Sequence, residues 1–189
     1  MPRHLPAVVA TIVAALVATA PSAAATPHRH VPLGALTGIV ADRLATADTV
    51  AAAKWRTGTP VDDPAREAEV IAAAVAAGRT AGLDPARVTS VVRDQIKVGK
   101  AVQRTLLVLW RTVPATDPTS PAADLAGVRP RITALTGDLV SGLARDDATL
   151  RAPGCTAEVA AAVATTTATH RLDPLHAVAL ASASRSLCR

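Results

Sequence analysis

The chain has 189 residues, a formal net charge of +5, two Trp and neither Phe nor Tyr. Its length fits one domain with a sizeable core, which must consist mainly of Ala, Val and Leu. Ala favours helix and the aliphatic residues do not alternate as along strands, so the composition excludes a sheet protein and predicts an all-α fold. The arginines are scattered and aromatic residues for base stacking are nearly absent, which argues against nucleic-acid binding.

The first 25 residues have the pattern of a signal peptide. A short basic start precedes an apolar stretch from Ala7 to Ala18 that is too short to span a bilayer. Three alanines at 23–25 fit a small-x-small cleavage site. The alternative, an N-terminal membrane anchor, is disfavoured by the length of the apolar stretch. We therefore expect a signal peptide over 1–25, a single domain over 26–189, and a secreted or periplasmic protein that is not held at a membrane after cleavage.

Start and stop signals divide the chain into helices. Asp-Pro pairs at 63–64, 84–85 and 173–174 each place an N-cap acceptor before a proline at the first helical position. A stretch rich in Pro, Thr and Ser over 114–121 lacks periodicity and is predicted to be a linker. Pro130 is expected to delay or kink the helix that follows this linker. About six helices are predicted, at 33–56, 64–81, 85–112, 122–150, 157–169 and 174–187.

The two cysteines are predicted to form a structural disulfide. Export places Cys155 and Cys188 in an oxidising compartment, where an even count of cysteines suggests a bridge. A metal site would need more ligands than the nearby His170 and His176 supply, and a redox pair would normally be closer in sequence. We expect the bridge to join the outer ends of the last two helices, and we expect no metal.

Two cations lie on the apolar face of the first predicted helix. Arg43 falls one turn after Ile39, and Lys54 follows eleven residues later, so the two side chains share a face about 16 Å apart. No carboxylate lies on the same stripe, so cations that face a core would require an anionic partner. The alternative is that both side chains extend to solvent at the edge of the stripe.

Further polar residues lie on or beside other apolar faces. Gln103 sits on the apolar face of the third helix, and a buried amide needs hydrogen-bond partners. Gly99, one turn earlier, indicates close packing against either another helix or a ligand. Arg66 near the start of the second helix and Arg129 near the start of the fourth extend the set. Together these residues predict a site that binds and polarises a dianion without a catalytic nucleophile.

Several short stretches, in this order and spacing, resemble one family. From Leu33 to Cys188 the chain is similar to the secreted, all-helical (gamma-subclass) chorismate mutases of bacteria. The resemblance implies a helical bundle like that of type II chorismate mutases, a homodimer, and isomerisation of chorismate to prephenate without a cofactor. The stretches that carry it are ADRL at 41–44, VAAAKW at 50–55, DDPAR at 62–66, LDP at 83–85, DQI at 94–96 and the pair Cys155 and Cys188.

The resemblance also implies which residues act on the substrate. Arg43, Lys54 and Gln103 would be catalytic, with Lys54 and Gln103 at the ether oxygen. Secreted relatives often have Glu in place of Gln103, and such a residue must be protonated to donate, so the amide predicts activity that persists at neutral pH. The expected substrate contacts are Arg43, Lys54, Asp63, Arg66, Glu67, Gly99, Gln103 and Arg129.

The remaining contacts have roles of their own in this resemblance. Arg66 and Arg129 would bind carboxylates together with Arg43, because guanidinium groups suit bidentate recognition. Glu67 would bind the ring hydroxyl. The sequence departs from the family where Gly99 replaces a usual Thr or Ser, so a substrate contact is expected to be missing or supplied by water. Polar residues common in the secreted group are also replaced, by Val70 and Lys100.

Two other functions stay open at this point. A catalytically inactive, exported helical binding protein could keep the same scaffold, and a chorismate assay separates it from the enzyme. A membrane-surface protein could use the basic charge, but no helix combines an aromatic-rich apolar face with a Lys-rich polar face.

Overall fold

The computed structural model describes residues 33–116 and 125–188, together with positions 1 and 118. Within these residues the regular structure is entirely helical, which confirms the predicted all-α class. Two short 3-10 helices, Pro114–Thr116 and Arg185–Cys188, accompany seven α-helices. The α-helices are α1 (Gly34–Thr57), α2 (Pro64–Thr80), α3 (Pro85–Thr112), α4 (Leu125–Arg145), α5 (Asp147–Arg151), α6 (Cys155–Thr169) and α7 (Pro174–Ala183).

The described residues form seven α-helices instead of about six because the predicted fourth helix is divided into two. Asp146 separates α4 from α5, and both its carboxylate oxygens accept from the Arg145 guanidinium, at 2.9 and 2.7 Å. Asp favours helix starts over helix interiors, which fits a break at this position. Pro130 lies inside α4, whose described part begins at Leu125, so the proline does not delay the helix. Apart from Met1, the predicted signal peptide lies outside the described residues, as do residues 122–124.

The three Asp-Pro pairs start helices as predicted. Asp63 accepts from the backbone N–H of Arg66 at 3.1 Å. Asp84 caps α3 in the same way, and Asp173 accepts from the N–H of His176 at 3.1 Å. Each cap satisfies backbone donors that the first helical turn leaves unpaired. These caps therefore fix where α2, α3 and α7 begin.

Helix α1 is the centre of the bundle. It packs against α3, α4, α6 and α7, while α2 packs on α3 and α4. The core between them is built from Leu, Val and Ala. Small residues permit the closest approach: a Cβ on Gly142 of α4 would lie 2.8 Å from Cδ1 of Leu36 on α1. The N-terminal two thirds of the bundle, α1 to α4, thus enclose a space between four helices.

The two Trp side chains form a second, smaller cluster. Trp55 near the end of α1 meets Trp110 near the end of α3 edge to face, with ring centroids 6.0 Å apart. Ala51 and Ala52 are buried beside them. None of the described helices is long and apolar enough to cross a membrane.

The C-terminal segment is fixed to the bundle by a disulfide and by an arginine. Cys155 and Cys188 are bonded, with their Cα atoms 5.7 Å apart, which confirms the predicted bridge. Arg87 near the start of α3 donates to Asp147 at 2.7 Å and to the carbonyl of Leu187 at 3.2 Å. The bridge therefore joins the start of α6 to the end of the chain, on the side of α3 that carries Arg87.

Candidate active site

A cavity of about 170 Å³ lies between α1, α2, α3 and α4. Residues from all four helices and from the loop before α2 line it. Every site residue predicted from the sequence is among them: Arg43, Lys54, Asp63, Arg66, Glu67, Gly99, Gln103 and Arg129.

Arg43 is a largely buried cation without a carboxylate partner. Its Nη1 donates to the carbonyl of Ile132 at 3.3 Å and to the hydroxyl of Thr136, both on α4. Its Nε is buried and makes no hydrogen bond, and no ion pair joins Arg43 to a carboxylate in the described part of the chain. Burial lowers the pKa of this guanidinium to about 10. A cation held in this way favours an anionic ligand.

Lys54 is the second buried cation of the cavity. Its side chain is 8% exposed, which excludes the alternative that it extends to solvent. The ammonium group donates to the carbonyl of Val61 at 2.7 Å, at the turn before α2. Burial lowers the pKa of Lys54, against the opposing effect of the Asp63, Asp62 and Glu67 carboxylates. The turn thus aims a desolvated ammonium into the space between the helices.

Two amides from α3 line the same cavity. Gln103 is 8% exposed, and its Oε1 is buried without a hydrogen-bond partner. Gln95, eight residues earlier and therefore on the same face of α3, donates from Nε2 to the carbonyl of Ala183 at 2.9 Å, and its Oε1 is also unpaired. Buried amide oxygens without partners are uncommon in proteins and mark places where a ligand or water completes the bonding.

Gly99 contributes open space and no helix contact. A Cβ placed on it would meet no atom within 4 Å, so the interpretation of Gly99 as a helix–helix contact is wrong. By contrast, a Cβ on Gly78 would lie 2.7 Å from the Val88 side chain, as expected for true close packing. The absent side chain at position 99 enlarges the cavity.

Charged residues form the wall between α2 and α3. Glu67 accepts from Lys100 Nζ at 2.8 and 3.0 Å, and the backbone N–H of Asp63 donates to Glu67 Oε1 at 3.4 Å. Lys100 also pairs with Asp62 at 2.9 Å. Hydrogen bonds to Glu67 and Asp62 raise the pKa of Lys100. Glu67 and Lys100 both line the cavity, so the wall presents a fixed ion pair to a ligand.

The two remaining arginines lie at the opening. Arg66 pairs with Glu69 at 2.9 Å and its side chain is 35% exposed. Arg129 is exposed on the first turns of α4. Both are long enough to turn towards an anion that enters the cavity.

Comparison with known proteins identifies the family of this chain. Residues 35–104 match the family model for chorismate mutase type II. A secreted chorismate mutase of Mycolicibacterium smegmatis is 35% identical over 168 residues, which are 87% of this chain and 92% of that protein. The chain belongs to the chorismate mutase family. A secreted chorismate mutase of Mycobacterium tuberculosis is 32% identical over 157 residues, 83% of this chain and 78% of that protein.

Solved chorismate mutase structures share the fold. The enzyme of Burkholderia phymatum superposes with a TM-score of 0.80 at 36% identity, over 84% of this chain and 96% of that chain. The enzyme of Burkholderia thailandensis gives 0.79 at 34% identity, over 83% and 99%. Family membership makes the chain an isomerase and gives no support to the catalytically inactive alternative. The secreted relatives agree with the predicted secreted or periplasmic location.

Sequence reasoning missed two residues that line the chorismate mutase cavity as polar groups. Gln95 belongs to the DQI stretch, and its place two turns before Gln103 on one helix face is a signal for a role in the cavity. The sequence marks Lys100 as a departure from the family but does not indicate its partner. Its pairing with Glu67 joins two helices and has no signal in the local sequence.

Proposed function

We propose that this cavity isomerises chorismate to prephenate through substrate positioning and electrostatic stabilisation. The observation that supports the proposal best is that three polar side chains line one cavity. These are a half-buried Arg43, which pairs with no carboxylate of the described residues, and the buried Lys54 and Gln103. Chorismate carries two carboxylates, which match unpaired cations. The rearrangement is intramolecular, since the ether C–O bond breaks as a C–C bond forms, and it needs neither a nucleophile nor a cofactor.

The arginines hold the substrate. The carboxylates of chorismate bind to Arg43 inside the cavity and to Arg66 and Arg129 at its opening, because guanidinium groups form bidentate pairs with carboxylates. These contacts fold the enolpyruvyl arm over the ring, in the geometry in which the new C–C bond can form. Such positioning lowers the entropic part of the barrier.

Lys54 and Gln103 act on the ether oxygen. Negative charge develops there as the C–O bond breaks, and an ammonium and an amide N–H that are already in place stabilise it. The amide of Gln103 donates without needing a proton from solution, unlike a carboxylic acid. Both side chains are largely shielded from water, which strengthens their effect on a developing charge.

Glu67 and Asp63 complete the substrate site at the start of α2. Glu67 accepts from the ring hydroxyl of the substrate, since a carboxylate that is bound to Lys100 still has lone pairs available. Asp63 caps α2 and so fixes Arg66 and Glu67 relative to the cavity.

The organisation of the mature protein is also part of the proposal. Residues 1–25 are a signal peptide, residues 26–189 form one domain, and two copies associate as a homodimer without nucleic acid or membrane. Each copy has a complete cavity of its own. Mass spectrometry of the exported protein and light scattering of the purified protein check these points.

The activity is tested with the purified mature protein and chorismate. Loss of chorismate and appearance of prephenate are followed at micromolar protein, and no acceleration over buffer would contradict the proposal. We expect Arg43→Ala and Lys54→Ala each to lower kcat/KM by about 10²-fold or more. Arg79→Ala, at an exposed arginine of α2 outside the cavity, is the matched control and should leave kcat/KM unchanged.

A further inference from the structure

Thr136 on α4 lies directly behind Arg43 and outside the substrate cavity. Its side chain is buried, with 6% exposure, and its hydroxyl accepts a hydrogen bond from Arg43 Nη1. Thr136 lines a separate concavity between α2 and α4, so it has no direct access to a ligand beside Arg43. A buried hydroxyl that binds a cation of the site from behind can act only through that cation.

The direction of the hydrogen bonds is fixed by counting protons. The Thr136 hydroxyl has one proton, which it donates to the carbonyl of Ile132 at 2.7 Å, so it must accept from Arg43. The carbonyl of Ile132 lies 3.3 Å from the same Nη1 and 2.7 Å from the Thr136 oxygen, so the two acceptors lie on one side of Nη1 and share one of its two protons. This turn of α4 therefore holds Nη1 through one of its protons.

This bonding leaves the Nε–Nη2 edge of the guanidinium without any engaged proton. A guanidinium has five N–H groups, and the one engaged with α4 belongs to Nη1, so the Nε proton and both Nη2 protons stay available for an anion. Nε is buried and has no partner in the described residues. A carboxylate that accepts from Nε and Nη2 together forms a bidentate pair, which is the strong and directional form of this interaction.

We infer that Thr136 is a positioning residue that locks Nη1 of Arg43 onto α4 and so presents the Nε–Nη2 edge to a substrate carboxylate. The inference rests on the proposed function, because it assigns that edge to chorismate. Without the hydroxyl, the guanidinium can rotate about its last bonds, and the carboxylate loses its fixed partner. A misplacement of this kind lowers the rate by disturbing substrate orientation.

The test compares variants of Thr136 in two backgrounds, the wild-type enzyme and Arg43→Lys. Thr136→Val keeps the shape of the side chain and removes the hydroxyl, and we expect it to lower kcat/KM by about tenfold. Thr136→Ser keeps the hydroxyl and should stay within about twofold of wild type. Thr133→Val removes an exposed hydroxyl from the same helix and serves as the matched control, with unchanged kinetics.

A purely structural role for Thr136 predicts a different result in the second background. In Arg43→Lys, which cannot offer a bidentate edge, adding Thr136→Val should change kcat/KM by less than about twofold if the hydroxyl acts through Arg43. A repeated tenfold loss in that background would overturn the inference, as would a Thr136→Val enzyme as active as wild type. Should Thr136→Val fail to fold, Thr136→Ala removes the same hydroxyl and is judged by the same two criteria.

An inactive wild type would overturn the proposed function and this inference together, whereas an active wild type with an unaffected Thr136→Val overturns the inference alone.

Discussion

Lys100 on α3 binds both carboxylate oxygens of Glu67 on α2, at 2.8 and 3.0 Å. This pair crosses the wall of the cavity and neutralises a carboxylate beside the space that a dianion would occupy. Without Lys100, the Glu67 carboxylate would face the substrate uncompensated, and the cavity would also lose one positive charge. We therefore expect Lys100 to favour substrate binding even where it does not touch the substrate.

Replacement of Lys100 tests this relationship. We expect Lys100→Met to raise KM for chorismate about fivefold to tenfold with a smaller change in kcat, because the lost charge acts on binding. Lys100→Arg should retain most of the affinity. Thermal stability should hardly change, since solvent-accessible ion pairs contribute little to folding. An unchanged KM in steady-state kinetics of Lys100→Met would show that the pair has no part in substrate binding.

The state of Lys54 predicts an alkaline limit to the activity. Because burial lowers the pKa of Lys54, the ammonium loses its proton below the pH at which an ordinary lysine titrates. The pH profile of kcat/KM should therefore fall on the alkaline side in that range. In Lys54→Arg this fall should disappear, whatever the absolute rate, because a guanidinium stays protonated there.

The pH dependence of stability separates the titration of Lys54 from unfolding, because loss of the Lys54 proton should not destabilise the fold. A lysine with a lower pKa in the folded state than in the unfolded state binds fewer protons when folded, so its deprotonation stabilises the fold as the pH rises. Thermal melts across the same pH range should show no loss of stability from Lys54. A fall in the melting temperature that parallels the loss of activity would contradict the assignment.

Gln103 predicts the acid side of the same profile. A neutral amide donates at any pH, so kcat/KM should stay nearly constant from about pH 5 to neutrality. Gln103→Glu should lose activity at neutral pH, because a carboxylate would repel the negative charge on the ether oxygen, and should regain it as the acid is protonated. A wild-type profile that rises only below about pH 5 would contradict the role of the amide.

Gly99 offers a gain of function. Since nothing lies within 4 Å of a Cβ at this position, Gly99→Ser fits and places a hydroxyl in the cavity. The resemblance to secreted chorismate mutases implies a hydroxyl residue at this position. We expect Gly99→Ser to raise kcat/KM a few-fold. Gly99→Ala is the matched control: it should stabilise α3 by up to about 1 kcal/mol without that gain. Equal kinetics for the two variants would show that the hydroxyl makes no substrate contact.

The disulfide is expected to affect stability and leave the chemistry unaffected. Cys155 and Cys188 lie 33 residues apart and do not line the cavity. The double substitution to Ser should lower the free energy of unfolding by about 3–4 kcal/mol, because the unfolded chain gains freedom. Its kcat/KM, measured well below the new melting temperature, should remain within about twofold of wild type. A larger loss would indicate that the C-terminal segment, which contacts Gln95 through Ala183, also shapes the cavity.

The parts of the site that could be predicted from the sequence are those encoded by local spacing. The Asp-Pro pairs fixed the starts of α2, α3 and α7, because N-capping depends on residues within one turn. Arg43, Lys54 and Gln103 were recognisable as polar residues on apolar helix faces, which follows from a period of 3.6 residues.

Relations between helices could not be predicted in the same way. The hydroxyl that holds Arg43 comes from Thr136, 93 residues later in the chain, and the partner of Lys100 is 33 residues earlier. Whether Gly99 faces another helix or open space depends on the rotation of α3 about its axis relative to α1 and α2. Helix periodicity shows which face of a helix is buried, but it does not show what that face contacts.

The pairing of Trp55 with Trp110 gives the protein an intrinsic fluorescent probe. These are the only two tryptophans in a chain without tyrosine, so the near-ultraviolet absorbance and the intrinsic fluorescence come almost wholly from one spot, where the ends of α1 and α3 meet. Trp55 directly follows Lys54 in sequence, and Trp110 is two turns beyond Gln103 on the same helix. A change in emission on adding a ligand can therefore be assigned to these two helix ends without any label.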